Sequence, residues 1–172
     1  FDQKAGDAYN IYTQRTDGWI QKKLTYGDAL DSDPDWSPDG ETIAFVSERD
    51  GDQEIYTMTA DGRNVTRLTD HPGVDFAPVW SPDGRSIAYE CEDSKTGSRE
   101  ICIMDTTGGK QQTLTQNAVP DRQPDWSPDG QYIVFTRQRS NSPIWDVWII
   151  RHDGSAERVL IQDRFSSTHP AW

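Results

Sequence analysis

At 172 residues, with 29 acidic against 17 basic side chains, the chain carries a formal net charge of −12. That balance argues against nucleic acid and against anionic membrane surfaces, both of which need Lys/Arg patches, and it favours a cationic or neutral partner. The hydrophobic share of 33% is low, yet it suits a core assembled from many short strands.

Residues 1 to 36 contain Ile11-Tyr12, Asp17-Gly18 and Leu24-Thr25, a series that returns as Ile55-Tyr56, Asp61-Gly62 and Leu68-Thr69. Trp36-Ser37-Pro38-Asp39-Gly40 then opens a motif that recurs at Trp80 and Trp126, and Trp172 is the last residue. The Trp spacings are 44, 46 and 46 residues, a period that signifies an array of identical supersecondary units. Ser-Pro-Asp-Gly reverses the chain: Pro presets φ, Asp bonds nearby backbone, and Gly accepts a positive φ.

After each turn the sequence predicts a strand, Thr42 to Val46, Ser86 to Tyr89 and Tyr132 to Thr136, rich in β-branched and aromatic residues. A second follows a polar loop, at Glu54 to Met58, Glu100 to Met104 and Asp146 to Ile150. The hairpin signals Asp61-Gly62, Gly108-Gly109 and Asp153-Gly154 lead into weaker strands, Val65 to Thr69, Gln111 to Thr115 and Glu157 to Ile161. With the segment that ends at each Trp, the unit is four antiparallel strands in about 45 residues, the spacing of a propeller blade. The fold class is therefore all-β, with a sandwich or solenoid as alternatives that account less well for the fixed Trp-Ser-Pro-Asp-Gly interval.

The repeats run 1–36 (partial), 37–80, 81–126 and 127–172, one domain over 1–172. On this register Phe1 lies opposite Phe45, which makes three full blades and parts of a fourth. The expectation is a fragment of a larger propeller, or a chain that completes its ring with a second copy, because a shared blade lacking one strand leaves edges open. No run approaches 18 apolar residues and no basic-then-apolar leader is visible, so neither a membrane span nor a signal peptide is expected.

Pro-x-Trp-Ser-Pro-Asp-Gly, the Ile-Ala-Phe and Ile-Tyr strands, Asp-Gly and Leu-Thr together resemble the WD-like β-propeller repeat of the TolB family, over essentially the whole chain. The resemblance implies a periplasmic or secreted bacterial protein and an envelope complex with a protein or peptide partner. The same repeat also occurs in peptidases and lyases, so it speaks for fold more than for function.

Trp36, Trp80, Trp126 and Trp172 are expected in the core, one ring wedged between neighbouring sheets. Cys91 and Cys102 flank one polar loop, near enough for a cross-strand disulfide in an oxidising compartment or equally placed as free buried thiols. Trp19 and Trp145 stand outside the repeated positions, as packed loop aromatics or as exposed anchors.

Candidate binding residues lie just before each Trp. Five positions upstream stand Asp31, Asp75 and Asp121, then Ser167; three upstream Asp33, Ala77, Gln123 and His169; one upstream Asp35, Val79, Asp125 and Ala171. Repeat symmetry sets such positions around a central channel. Asp31, Asp75 and Asp121 offer the hard oxygens that Ca²⁺ takes, or else cap turns. Asp33, Asp35, Gln123, Asp125 and His169 are the expected contacts at the channel mouth. Asp31-Ser32-Asp33-Pro34-Asp35 is not an EF-hand, because Trp36 replaces its Gly and Thr42 its bidentate Glu.

No Gly-x-Ser-x-Gly elbow, His-Glu-x-x-His or phosphate-cradling Gly-rich loop is present. The expected function is therefore a non-catalytic scaffold that requires no cofactor. The alternatives are the propeller part of a larger hydrolase or lyase, and a carbohydrate-binding lectin drawing on the seven Trp.

Overall fold

A computed structural model describes residues 1–5, 8–162 and 170–172. These form fifteen antiparallel strands in four sheets and no helix. The first sheet has three strands, β1 (Asp2–Ala5), β2 (Ala8–Gln14) and β3 (Gln21–Lys23). The second has four, β4 (Asp31–Trp36), β5 (Thr42–Ser47), β6 (Glu54–Thr59) and β7 (Thr66–Arg67). The third repeats them as β8 (Asp75–Trp80), β9 (Ser86–Glu92), β10 (Arg99–Asp105) and β11 (Gln112–Thr113). The fourth holds β12 (Asp121–Trp126), β13 (Tyr132–Gln138), β14 (Trp145–Arg151) and β15 (Arg158–Ile161). In each four-stranded sheet the strands lie in chain order, and β8 contacts β4 on one side and β12 on the other across the junctions. This is the blade arrangement that the repeat period predicts.

The turn chemistry is the same in every copy. Gly40, Gly84 and Gly130 donate their N–H to Ser37, Ser81 and Ser127 at 2.8, 2.9 and 2.8 Å. Each Ser hydroxyl donates to the Asp two residues on, at 2.6, 2.7 and 2.6 Å, and that Asp also accepts the N–H of residue 41, 85 or 131. These bonds hold the carboxyls of Asp39, Asp83 and Asp129 below their ordinary range, the Ser hydroxyl contributing most.

Thr of the Leu-Thr pair closes the outer side. Thr25, Thr69 and Thr115 are buried, and their hydroxyls accept the N–H of Ile11, Ile55 and Ile101, each at 2.9 Å. The outer strands β7 and β11 are shorter than predicted, and beyond them Thr69 and Thr115 bind the neighbouring strand through their hydroxyls. In the first sheet the rings of Phe1 and Tyr12 stack at 6.0 Å, the counterpart of Phe45 and Tyr56 at 5.9 Å.

Apolar cores lie between sheets rather than within them. Ala44, Val46 and Ile55 of the second sheet meet Ile87, Tyr89 and Met104 of the third, with Trp80 against them. Trp126 packs among Ile101, Ile103, Ile133 and Phe135, between the third and fourth.

The expectation of four buried Trp holds for one ring fully and needs correcting for two. Trp126 is 6% exposed, and its Nε1 donates to the Val79 carbonyl on β8 at 3.2 Å. Trp36 is 43% and Trp172 53% exposed. Trp126 is sealed by the inner strand of the preceding sheet. The first sheet, as described, begins with β1 and has no such strand to cover Trp36.

Candidate functional site

The inner strands share one irregularity. Pairing with the next strand slips between Ser32 and Asp35, Phe76 and Val79, and Arg122 and Asp125. The residue inside each bulge has a left-handed backbone: Asp33 at φ 49, Ala77 at φ 46 and Gln123 at φ 56. A bulge bends the strand and re-aims side chains. Three non-glycine residues held this way, at a cost of order 1 kcal/mol each, mark the inner edge as a built surface.

Around it, polar groups bind one sheet to the next. Asp35 Oδ2 accepts the Trp80 N–H at 2.7 Å, and Asp125 Oδ2 accepts that of Trp172 at 3.1 Å. Val79 has no carboxylate at the intervening position, and there Asp125 Oδ1 takes the Trp126 N–H at 2.9 Å. Burial raises the Asp33 and Asp35 carboxyls above their ordinary range; nearby Asp2 adds to the effect on Asp33, and the Ala77 and Trp80 N–H groups oppose it.

Residues that the sequence reading did not single out complete this edge. Glu90 of β9 accepts the Gln123 N–H at 2.9 Å and pairs with Arg99 at 3.0 Å. The Arg99 guanidinium lies 3.9 Å from the centre of the Phe76 ring, and Arg122 lies 5.2 Å from that of Trp145. Burial raises Glu90 above its ordinary range. The available signal was Glu90 itself, a charged residue directly after the apolar run Ile87-Ala88-Tyr89.

Asp31, Asp75 and Asp121 are buried, each in its own sheet. Asp31 is held by Ser47 and Arg49 at 2.6 and 3.0 Å, and Asp121 by both Nε and Nη2 of Arg137 at 2.7 Å. Asp75 faces His71, whose Nε2 is 3.2 Å away. The structure thus spends these carboxylates on local ion pairs, and among the described residues no three His, Cys, Asp or Glu side chains converge on a metal-sized site. Ser167 and His169 lie outside the described residues.

Cys91 and Cys102 form the disulfide, bridging β9 and β10 with Cα atoms 5.9 Å apart. Trp145 is half-buried beneath Arg122, whereas Trp19 is 88% exposed at the β2–β3 turn.

The model of the TolB beta propeller domain matches residues 2–172. The chain belongs to that family. Among solved structures, a putative TolB from Agrobacterium tumefaciens superposes with a TM-score of 0.80 at 27% identity, over 93% of this chain and 59% of that one. TolB from Acinetobacter baumannii gives 0.76 at 26% identity, over 88% of this chain and 37% of that one. The chain therefore spans less than two thirds of either. An uncharacterised peptidase, YuxL of Bacillus subtilis, is 48% identical over 42 residues, 24% of this chain and 6% of that protein.

Proposed function

We propose that this TolB-family propeller is a non-catalytic scaffold that docks a protein or peptide partner on its inner edge, in the periplasm or outside a bacterial cell. The observation that carries the reading is the bulged row Asp33, Ala77 and Gln123 beside the Glu90–Arg99 pair and the Arg-capped rings of Phe76 and Trp145. Aromatic and Arg side chains held by a rigid scaffold are the groups that anchor partners. The net charge of −12 favours a cationic or neutral partner. A disulfide supports an oxidising compartment.

A photocrosslinking side chain in place of Gln123 tests it in a bacterial envelope extract. The expected result is a discrete adduct that disappears when Asp33→Asn and Glu90→Gln are added. Adducts equally abundant from Arg158 on the outer strand would overturn the reading.

A second reading has one observation behind it, the 42-residue match to the uncharacterised peptidase. There the chain is the propeller part of a larger hydrolase. A hydrolase domain in the parent sequence would select it.

A further inference from the structure

The third and fourth sheets carry the same pair of groups at the inner edge with the roles exchanged. Four positions before the repeated Trp stand Phe76 and Arg122, and two positions before Ile101 and Val147 stand Arg99 and Trp145. Strand register agrees with that alignment: Phe76 pairs with Glu90 and Arg122 with Thr136, while Arg99 pairs with Glu92 and Trp145 with Gln138. Each sheet therefore sets one guanidinium against one ring, Arg99 at 3.9 Å from the centre of Phe76 and Arg122 at 5.2 Å from that of Trp145. The second sheet has Ser32 and Gln53 at these positions and makes no such pair.

What differs is the third member. Directly paired residues share a face of the sheet, and in the third sheet Glu90 on that face accepts from Arg99 at 3.0 Å. Its counterpart in the fourth is Thr136, whose hydroxyl donates to the Arg122 carbonyl at 3.2 Å. Arg122 is thus left without a carboxylate. The other half-buried arginines, Arg67, Arg99, Arg137, Arg139 and Arg151, each have one within 3.6 Å. Glu90 acts on the Arg122 charge from a distance, but its Oε1 is taken by the Gln123 N–H and its Oε2 by Arg99. Arg122 Nε is buried with no acceptor, and among the described residues no hydrogen bond reaches the rest of that guanidinium. A buried donor left unpaired is costly. A guanidinium already lying on a ring has little rotamer freedom to lose when a ligand closes on it.

We propose that Arg122 receives a carboxylate of the partner, from an acidic side chain or a chain terminus, in the place that Glu90 takes beside Arg99. Two parallel N–H···O bonds match the planar fork to a carboxylate. The net charge of −12 opposes an anion only at long range, because exposed charges further apart than about 8 Å are largely screened at physiological salt. The inference rests on the inner-edge reading for the existence of a partner and adds the chemistry of its anchor.

The test titrates the whole chain with N-acetyl-L-glutamic acid α-amide, which offers a side-chain carboxylate, and with N-acetyl-L-alanine, which offers a terminal one, following the Trp145 indole by NMR. A saturable shift is expected from at least one, and the tighter binder identifies the source. The neutral isostere N-acetyl-L-glutamine amide should give none. Arg122→Gln should weaken binding at least tenfold, and Arg122→Lys, which keeps the charge and loses the fork, severalfold. Thr136→Glu should abolish binding by closing the seat from within; if that variant fails to fold, the two Arg122 variants decide. No saturable shift from either carboxylate, an equal response to the glutamine amide, or unchanged affinity in folded Arg122→Gln would each overturn the proposal. Crosslinking from position 123 separates the two readings: an adduct that survives Arg122→Gln overturns the carboxylate seat and spares the inner edge, whereas carboxylate binding without any adduct supports the seat and overturns the inner-edge reading.

Discussion

Two glycines separate conformational strain from crowding. Gly40 and Gly108 both have positive φ, at 72 and 80. A Cβ at Gly40 meets nothing within 4 Å, whereas at Gly108 it lies 2.4 Å from the Leu68 carbonyl of the preceding sheet. Gly40→Ala should cost about 1 kcal/mol and Gly108→Ala about 3 kcal/mol or more, measured by denaturant unfolding. His71 gives a pH signature. The Asp75 carboxylate raises it from 6.5 to about 9, so the contribution is complete below pH 6.5 and is lost as pH climbs through 9. Glu100, raised by burial from 4.5 to about 7, acts in the same direction: its contribution is complete below 4.5 and fades as pH rises through 7. The melting temperature should fall from pH 6.5 to 9, and His71→Gln should flatten that fall. An unchanged slope in the variant would contradict the pairing.

At the level of strands and junctions, the repeated Trp is one residue type in two environments. Trp126→Ala should destabilise by about 3–5 kcal/mol and Trp36→Ala by about 1 kcal/mol, because only Trp126 is enclosed by sheets on both sides. Calorimetry of the two variants makes the comparison. The disulfide closes a loop between residues 11 apart in sequence, and reducing it should cost about 3 kcal/mol. Denaturant midpoints with and without reductant measure that loss.

For the whole molecule, stability is a sum over sheets and their junctions. The junctions of the second sheet with the third and of the third with the fourth hold most of the apolar clusters, whereas β15 leaves Val159, Leu160 and Ile161 exposed. Amide exchange should therefore be slowest in β5, β9, β10 and β13 and fastest in β3 and β15. Uniform protection across all four sheets would contradict this gradient.

The blade pattern was legible because it is local: Ser-Pro-Asp-Gly closes its turn with bonds spanning two to five residues, and each strand follows a short β-branched or aromatic run. Most of the inner edge was also marked, at Asp33, Asp35, Gln123 and Asp125. Glu90, Arg99 and Phe76 were not, because the Glu90–Gln123 bond crosses a junction between two sheets and the contacts of Arg99 with Glu90 and Phe76 depend on the register of three strands of the third sheet. The sequence by itself determined the unit and its period. Tertiary structure decided which Trp is enclosed, that Asp31 and Asp121 meet arginines while Asp75 does not, and that the cysteines join. Those outcomes depend on what the neighbouring sheet presents, and equivalent residues in successive copies have different neighbours.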